Sequence, residues 1–469
     1  MTEPLWQWDE LVAAAEGRAD GTPSVPIAGF SIDTRSLTPG DVFVALKAER
    51  DGHDFVGDAF KAGAAAALIA KGYRRSGQDG ALIRTSDSLI ALQAVGRAAR
   101  ARTNARIVAV TGSAGKTGTK EMLRLCLTDA GATHASEKSY NNQWGVPLTL
   151  ARMPKAAEFG VFEIGMNHPG EITPLTELVR PHVAVITTVE PVHLEYFPSV
   201  EAIAEAKAEI LKGLVPGGAA VLPRDNQHFD LLKERASAVG AKIMSFGFAK
   251  EADIVCIQAN LEARGSSVIA GLGSQRFPYR VGAPGEHYVK NSLAVLAVLV
   301  ALNADPGRRL AALTRITAPA GRGARTRLDA PDGHILLIDE SYNANPASVR
   351  AALAAMATTP RADFPRRIAV LGDMLELGDA SPDLHRSLKE AVDAAGVDLV
   401  LACGPMMRLL HDTLKPSQQG GWAPDSGGLV EPLLNAVRSG DAVMIKGSLA
   451  SRMAPLVEAL RVRFANVGG

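Results

Sequence analysis

The sequence predicts an α/β protein of three domains, with boundaries at residues 1–85, 86–322 and 323–469. Three observations carry that reading. Apolar runs of strand length ("RIVAVTG", "EFGVFEIGMN", "HVAVITTVE", "GAAVLPRDN") alternate with helix-length segments, the pattern of a parallel sheet covered on both faces. A length of 469 residues, at roughly 150 per domain, is enough for about three cores. The stretch 318–334, "APAGRGARTRLDAPDGH", is rich in Gly, Pro and Arg and reads as a joint before a further α/β unit.

In chain order, "DVFVAL" (41–46) is a strand, and "FVGDAFKAGAAAALIA" (55–70) is a helix running into a strand; together they make a small N-terminal α/β domain. A helix over 88–102 leads into the central alternation. The longest apolar stretch, 292–304, falls short of the ~20 residues of a membrane span, and its alanines and leucines suit a buried helix. Past the joint, "ILLIDES", "RRIAVLGDM", "VDLVLACG" and "DAVMIKGS" are strands spaced by helices such as 345–358, a Rossmann-like arrangement.

Composition excludes several classes of function. Fifty Lys and Arg balance fifty Asp and Glu, so no net field draws nucleic acid or an anionic membrane, and charged ligands depend on local groups. The first residues lack the basic-then-apolar layout of an export signal. Cys126, Cys256 and Cys403 form no CxxC pair, which points away from disulfides and thiolate metal sites and toward a reducing compartment, the cytoplasm.

The chemistry is concentrated around residues 106–123, "RIVAVTGSAGKTGTKEML". A buried strand from Ile107 to Val110 meets Gly112, Ser113, Ala114, Gly115, Lys116, Thr117 and Gly118, and a helix begins near Lys116. Two residues separate the glycines instead of the four of the common phosphate loop, but the physics is the same. Backbone N–H groups and a helix N-terminus converge on phosphate oxygens, Lys116 reaches the terminal phosphates, and the Thr117 hydroxyl suits Mg2+. The central domain is therefore P-loop ATPase-like. Glu163 ends the strand of "FGVFEIGMN", where open α/β sheets place ligands; taken alone it is either a metal ligand or a surface or N-cap acid. Singly, His193 reads as a structural or surface histidine and Lys207 as a solvated helical lysine.

The order and approximate spacing of the short loop, "EIGMN", "HLEYF" and "AKAEI" resemble the Mur ligases. Ala208 stands where many relatives carry glycine, and Pro191 and Val192 where small residues are common; neither change removes a ligand. The resemblance implies an ATP-dependent amide ligase whose catalytic group is Lys116, Glu163, His193 and Lys207. It also implies Mg2+, two ions, held by Thr117, Glu163, His193 and a carbamylated Lys207. Asn291 is then the adenine contact, Arg322 a phosphate contact and Asp339 the acid near the ribose. Tyr342, Asn343 and Asn345 approach from the third domain, although "DESYNANP" by itself is a strand followed by an Asn-Pro turn and helix cap.

The spellings "SYNANP", "LGDMLELG" and "IKGS" are similar to the family member that adds D-alanyl-D-alanine to UDP-N-acetylmuramoyl-tripeptide, giving the pentapeptide precursor of peptidoglycan. "SIDTRSLTPGDVFVALKAERDGHDF" (31–55) is similar to the UDP-binding segment, which implicates Thr34 and Arg35. Asn141 and Asn142 line the UDP-sugar peptide or form an Asn-rich turn; Lys446 and Ser448 meet the dipeptide or simply end a strand. The implied enzyme is a cytoplasmic monomer that neither binds nucleic acid nor inserts into a membrane. Two alternatives stand beside it: a neighbouring ligase adding a different amino acid, and a nucleotide-switch ATPase.

Overall fold

The structure, a computed structural model, describes residues 3–137 and 139–465. Three sheets follow one another along the chain. The first has five strands in the order Arg18–Asp20, Ala81–Thr85, Ala66–Ala70, Asp41–Val44 and Gly29–Ser31; only the Arg18–Asp20 edge runs antiparallel. The second has nine, and its parallel part, from Thr133–Ala135 at one edge to Ile254–Glu262, is extended by two antiparallel strands, Gly265–Leu272 and Gln275–Val281. The third has six, antiparallel only where Ala324–Ala330 pairs with Gly333–Glu340.

Strand alternation explains how the central sheet is buried on both faces. Ile107 and Ala109 face one core with Phe162, Ile186 and the helix Ser88–Ala101. Val108 and Val110 face another with Leu123 and the apolar helix Glu286–Ala301. The first of these cores also takes in Trp6, Phe30 and Val44 from the N-terminal unit, so the first two units share one apolar interior. The third sheet packs separately on its own two faces. No helix among the described residues is long and apolar enough to cross a membrane.

Two expectations are corrected. The central sheet is not parallel throughout: "SSVIAGLGSQRFPYRV" turns at Gly273 to form an antiparallel hairpin at its edge, with no helix between the strands. The joint is also shorter than 318–334, because Ala324–Ala330 is already a strand of the third sheet; Arg325 and Leu328 pair with Ile338 and Ile335. Alternating side chains in "ARTRLDA" supply that strand, and the glycines that suggested looseness are confined to 321–323 and the turn at Gly333.

Candidate active site

The strand Arg106–Thr111 lies between Val183–Ile186 and Phe159–Glu163, with the chain leaving to opposite sides, so its carboxyl end is a switch point of the sheet. The glycine loop begins there. Gly112 has φ +150, and a Cβ on it would stand 1.9 Å from Thr187 Oγ1 of the neighbouring strand end. Gly115, at φ +82, caps the helix Lys116–Thr128, and a Cβ there would stand 2.7 Å from Asn291 Oδ1. Only glycine satisfies both close approaches. First-turn N–H groups of the helix have no acceptor within it and carry its positive end.

Above this loop is a cavity of about 780 Å3, walled on one side by the central strand ends and on the other by the third unit. Thr117 Oγ1 donates to Glu163 Oε2 at 2.9 Å, and Asn141 Nδ2 donates to Glu163 Oε1 at 2.7 Å. Glu163 is 1 % exposed, so two neutral donors hold a buried carboxylate beside the loop. The Lys116 ammonium donates to Gly112 O at 2.6 Å. Desolvation pushes its pKa down most, Glu163 pulls it up, and Arg322 adds a further downward push. Arg322 lies 4.0 Å from the Tyr342 ring centroid and donates to Ser139 Oγ at 3.2 Å, bringing a second cation to the same space.

Ser113, Ala114, Gly118 and Asn291 line the cavity, with Asn291 packed against the glycine loop. The hydroxyl of Ser113 is occupied, accepting from Glu190 N at 2.9 Å and donating to Glu190 O at 3.2 Å. His193 also lines the cavity, in the left-handed backbone region at φ +57, with Nδ1 2.5 Å from Glu376 Oε2. From the third unit come Tyr342, Asn343, Asn345 and Lys446. Lys446, 3 % exposed, donates to Asn343 O at 2.9 Å and to Glu340 Oε2 at 3.2 Å.

Other expected residues lie off this cavity or have their polar groups occupied within the fold. Lys207, in the last turn of the helix Val200–Ala208, is not among the residues lining the cavity. It is 2 % exposed, and its amine hydrogen-bonds to none of the described residues. Burial and the neighbouring Lys116 drive its pKa well below the ordinary lysine value. Asp339 is turned inward, accepting from Gly321 N at 3.0 Å and Ser341 Oγ at 2.6 Å, so it holds the joint instead of facing the cavity. Ser448 Oγ accepts from Leu375 N and donates to Ala344 O, stapling two loops of the third unit. Asn142 accepts from Trp144 N and Gly145 N at a helix start. Asn345 lines the cavity, yet its side-chain oxygen is spent on Ser348 N as the cap of Pro346–Ala357. Thr34 and Arg35 belong to the first unit, away from the cavity, and Arg35 is bound to the Asp33 carboxylate.

Sequence reasoning passed over Thr187, Glu190, His287, Glu340 and Glu376. Glu340 follows directly on the Asp339 that was singled out, and Glu376 lies inside the quoted "LGDMLELG"; nothing local marks either as facing the cleft.

Oxygen donors at Thr117 and Glu163 are the ligand type Mg2+ takes. Among the described residues no cluster of three or more His, Cys, Asp or Glu forms a complete cage. That combination fits Mg2+, which is bound by one or two protein groups together with substrate phosphates and water.

Two family models match the chain: the Mur ligase middle domain over residues 110–299, and the Mur ligase, glutamate ligase domain over 324–449. The UDP-N-acetylmuramoyl-tripeptide--D-alanyl-D-alanine ligase of Escherichia coli (strain K12) is 34 % identical over 96 % of this chain and 97 % of its own. The enzyme of the same name from Bacillus subtilis (strain 168) is 30 % identical, covering 92 % and 93 %. Among solved structures, a crystal structure of MurF from Acinetobacter baumannii superposes with a TM-score of 0.83 at 29 % identity, covering 98 % and 99 % of the two chains. MurF ligase from Thermotoga maritima in complex with ADP gives 0.77 at 25 %, covering 94 % and 98 %. With both models matched in chain order and relatives aligned over nearly the full length, this chain belongs to the Mur ligase family.

Proposed function

We propose that this chain is the ATP-dependent ligase that joins D-alanyl-D-alanine to UDP-N-acetylmuramoyl-tripeptide, giving the pentapeptide precursor of peptidoglycan. The observation that carries the reading is the buried Thr117–Glu163–Asn141 cluster beside a glycine loop and lysine, in a cavity whose far wall belongs to a different sheet. A switch ATPase has no use for that second wall. Residues 1–85 would hold the UDP end through Thr34 and Arg35, 86–322 the ATP, and 323–469 the dipeptide.

The reaction has two steps. A tripeptide carboxylate oxygen attacks the γ-phosphorus of ATP, ADP leaves, and an acyl phosphate results. The neutral dipeptide amine then adds to the acyl carbon, a proton is lost, and inorganic phosphate departs as the amide forms. Loop N–H groups and Lys116 hold the triphosphate and, with Arg322, oppose the charge gathering on the transferring oxygens. Mg2+ held by Thr117, Glu163 and His193 would supply further charge neutralisation. Lys446 and Tyr342 would bound the dipeptide, Asn141 the acceptor peptide, and the enclosing third unit keeps water from the acyl phosphate.

Lys207 fits a carbamate. The amine is buried beside Lys116, and burial and that charge both lower its pKa; in its neutral form it would bond dissolved CO2 through nitrogen with release of one proton, and the resulting anion would answer the positive charge of Lys116. Activity is expected to fall at least a hundredfold in Lys207→Ala and to return in part with bicarbonate and a short carboxylic acid; an unimpaired variant refutes the carbamate. The free thiols, two of them buried, fit a reducing cytoplasm.

The deciding assay follows product by mass spectrometry with ATP, dipeptide, and acceptor tripeptide ending in lysine or diaminopimelate. Pentapeptide with equimolar ADP and phosphate is expected from at least one acceptor. A product from a single free amino acid, and none from the dipeptide, would assign the chain to another branch of the family.

A further inference from the structure

The loop after the strand Arg366–Gly372 pushes one carboxylate out of the third unit into the central one. Met374 and Leu377 on either side of it are buried, which anchors the loop, and Glu376 itself sits at φ +62, a conformation uncommon for a residue with a side chain. His193, at φ +57, is held in the same way on the opposing loop. The two meet with Nδ1 2.5 Å from Oε2, and Glu195 N donates to Glu376 O at 3.3 Å beside them. A carboxylate only accepts, so the imidazole proton is on Nδ1. In the neutral ring, the form that ligates a metal, Nε2 then carries the lone pair; it hydrogen-bonds to none of the described residues, and His193 lines the ATP cavity.

We infer that Glu376 is a positioning residue for the metal ligand His193: it fixes the tautomer and orientation of the ring from across the cleft, so that the ligand is properly presented only while the third unit is docked. Carboxylate–histidine pairs of this kind orient ligating imidazoles and raise their basicity. Here the carboxylate comes from the domain that brings the dipeptide, which ties the order of the metal site to the arrival of the amine-carrying wall.

The inference rests on the reading of His193 as a metal ligand, and the test separates the two. Mn2+ binding to the full chain with a non-hydrolysable ATP analogue is measured by the paramagnetic resonance of free Mn2+, for the parent, His193→Ala, Glu376→Ala, Glu376→Gln and the double alanine variant. Both single alanine variants are expected to weaken Mn2+ binding about tenfold, the usual scale for such partners. The double variant is expected to be no weaker than His193→Ala, since Glu376 acts through the ring. Glu376→Gln keeps an acceptor oxygen and is expected to lose less. Unchanged affinity in Glu376→Ala beside a loss in His193→Ala overturns the positioning role and leaves the metal reading standing. Unchanged affinity in His193→Ala overturns the metal reading itself. A further loss from Glu376→Ala in the His193→Ala background overturns the coupling by giving Glu376 a direct role.

Discussion

The central sheet meets its two neighbours in opposite ways. Toward the N-terminal unit the contact has an apolar centre: Trp6 is buried in a core shared with Leu148 and Leu150, its indole N–H donates to Ala151 O at 2.9 Å, and the Arg102 guanidinium stacks 3.4 Å from its ring centroid. Toward the third unit the contact is polar and wraps a cavity, with Arg325 donating to Ala263 O at 3.2 Å, Glu195 N donating to Glu376 O at 3.3 Å, and Glu376 accepting from His193. Apolar burial is non-directional and lost by separation, whereas scattered hydrogen bonds exchange readily with water. The first interface is therefore expected to hold two sheets as one body, and the second to be the one that opens.

The largest expected effect tests the first interface. Trp6→Ala should cost about 3–5 kcal/mol in denaturant unfolding, with the first two units still melting together. A separate early transition of the N-terminal unit in the parent chain would show that the shared core does not couple them.

At the other interface, Asp339→Ala strands Gly321 N and the Ser341 hydroxyl, and is expected to cost about 1–3 kcal/mol while loosening the joint. Proteolysis should then cut near 317–323 sooner than in the parent; an unchanged pattern would mean that the joint is held by other contacts. Motion itself is checked by small-angle scattering. Domain docking predicts a smaller radius of gyration with ATP analogue, acceptor and dipeptide than without them, and no change in a demonstrably occupied complex would argue for a preformed cleft.

The smallest effect is set by pH. His182 Nδ1 accepts from Ile107 N at 2.9 Å in the central sheet, and His385 Nε2 accepts from Met374 N at 3.0 Å in the third unit. Burial, first among the causes, lowers both below the ordinary histidine value of 6.5. The unfolded chain therefore takes up these protons before the folded one. Stability is complete above that value and is lost as pH falls below it, by at most about 1.4 kcal/mol per pH unit for each group. Because His385 supports the loop carrying Glu376, the interface with the third unit should weaken along with that unit; scattering at pH 7.5 and 5.5 compares the two contacts directly.

What was legible in the sequence is what depends on neighbours along the chain. The strand, glycines, Lys116, Thr117 and helix of 106–128 are one continuous local structure, and Glu163 at a strand end follows from burial periodicity, so both could be read and both meet at the cavity. The Asn-Pro cap at Asn345 was legible for the same reason. Tertiary structure alone decided that Asp339 turns inward while its neighbour Glu340 meets Lys446, since strand alternation says that they oppose each other but not which side is the cleft. It alone decided that Arg322 stacks on Tyr342 and that His193 finds a partner 183 positions away. Local patterns encode which face of an element is buried; the docking of one sheet against another selects which of its polar side chains meet, and no periodicity in the chain records that choice.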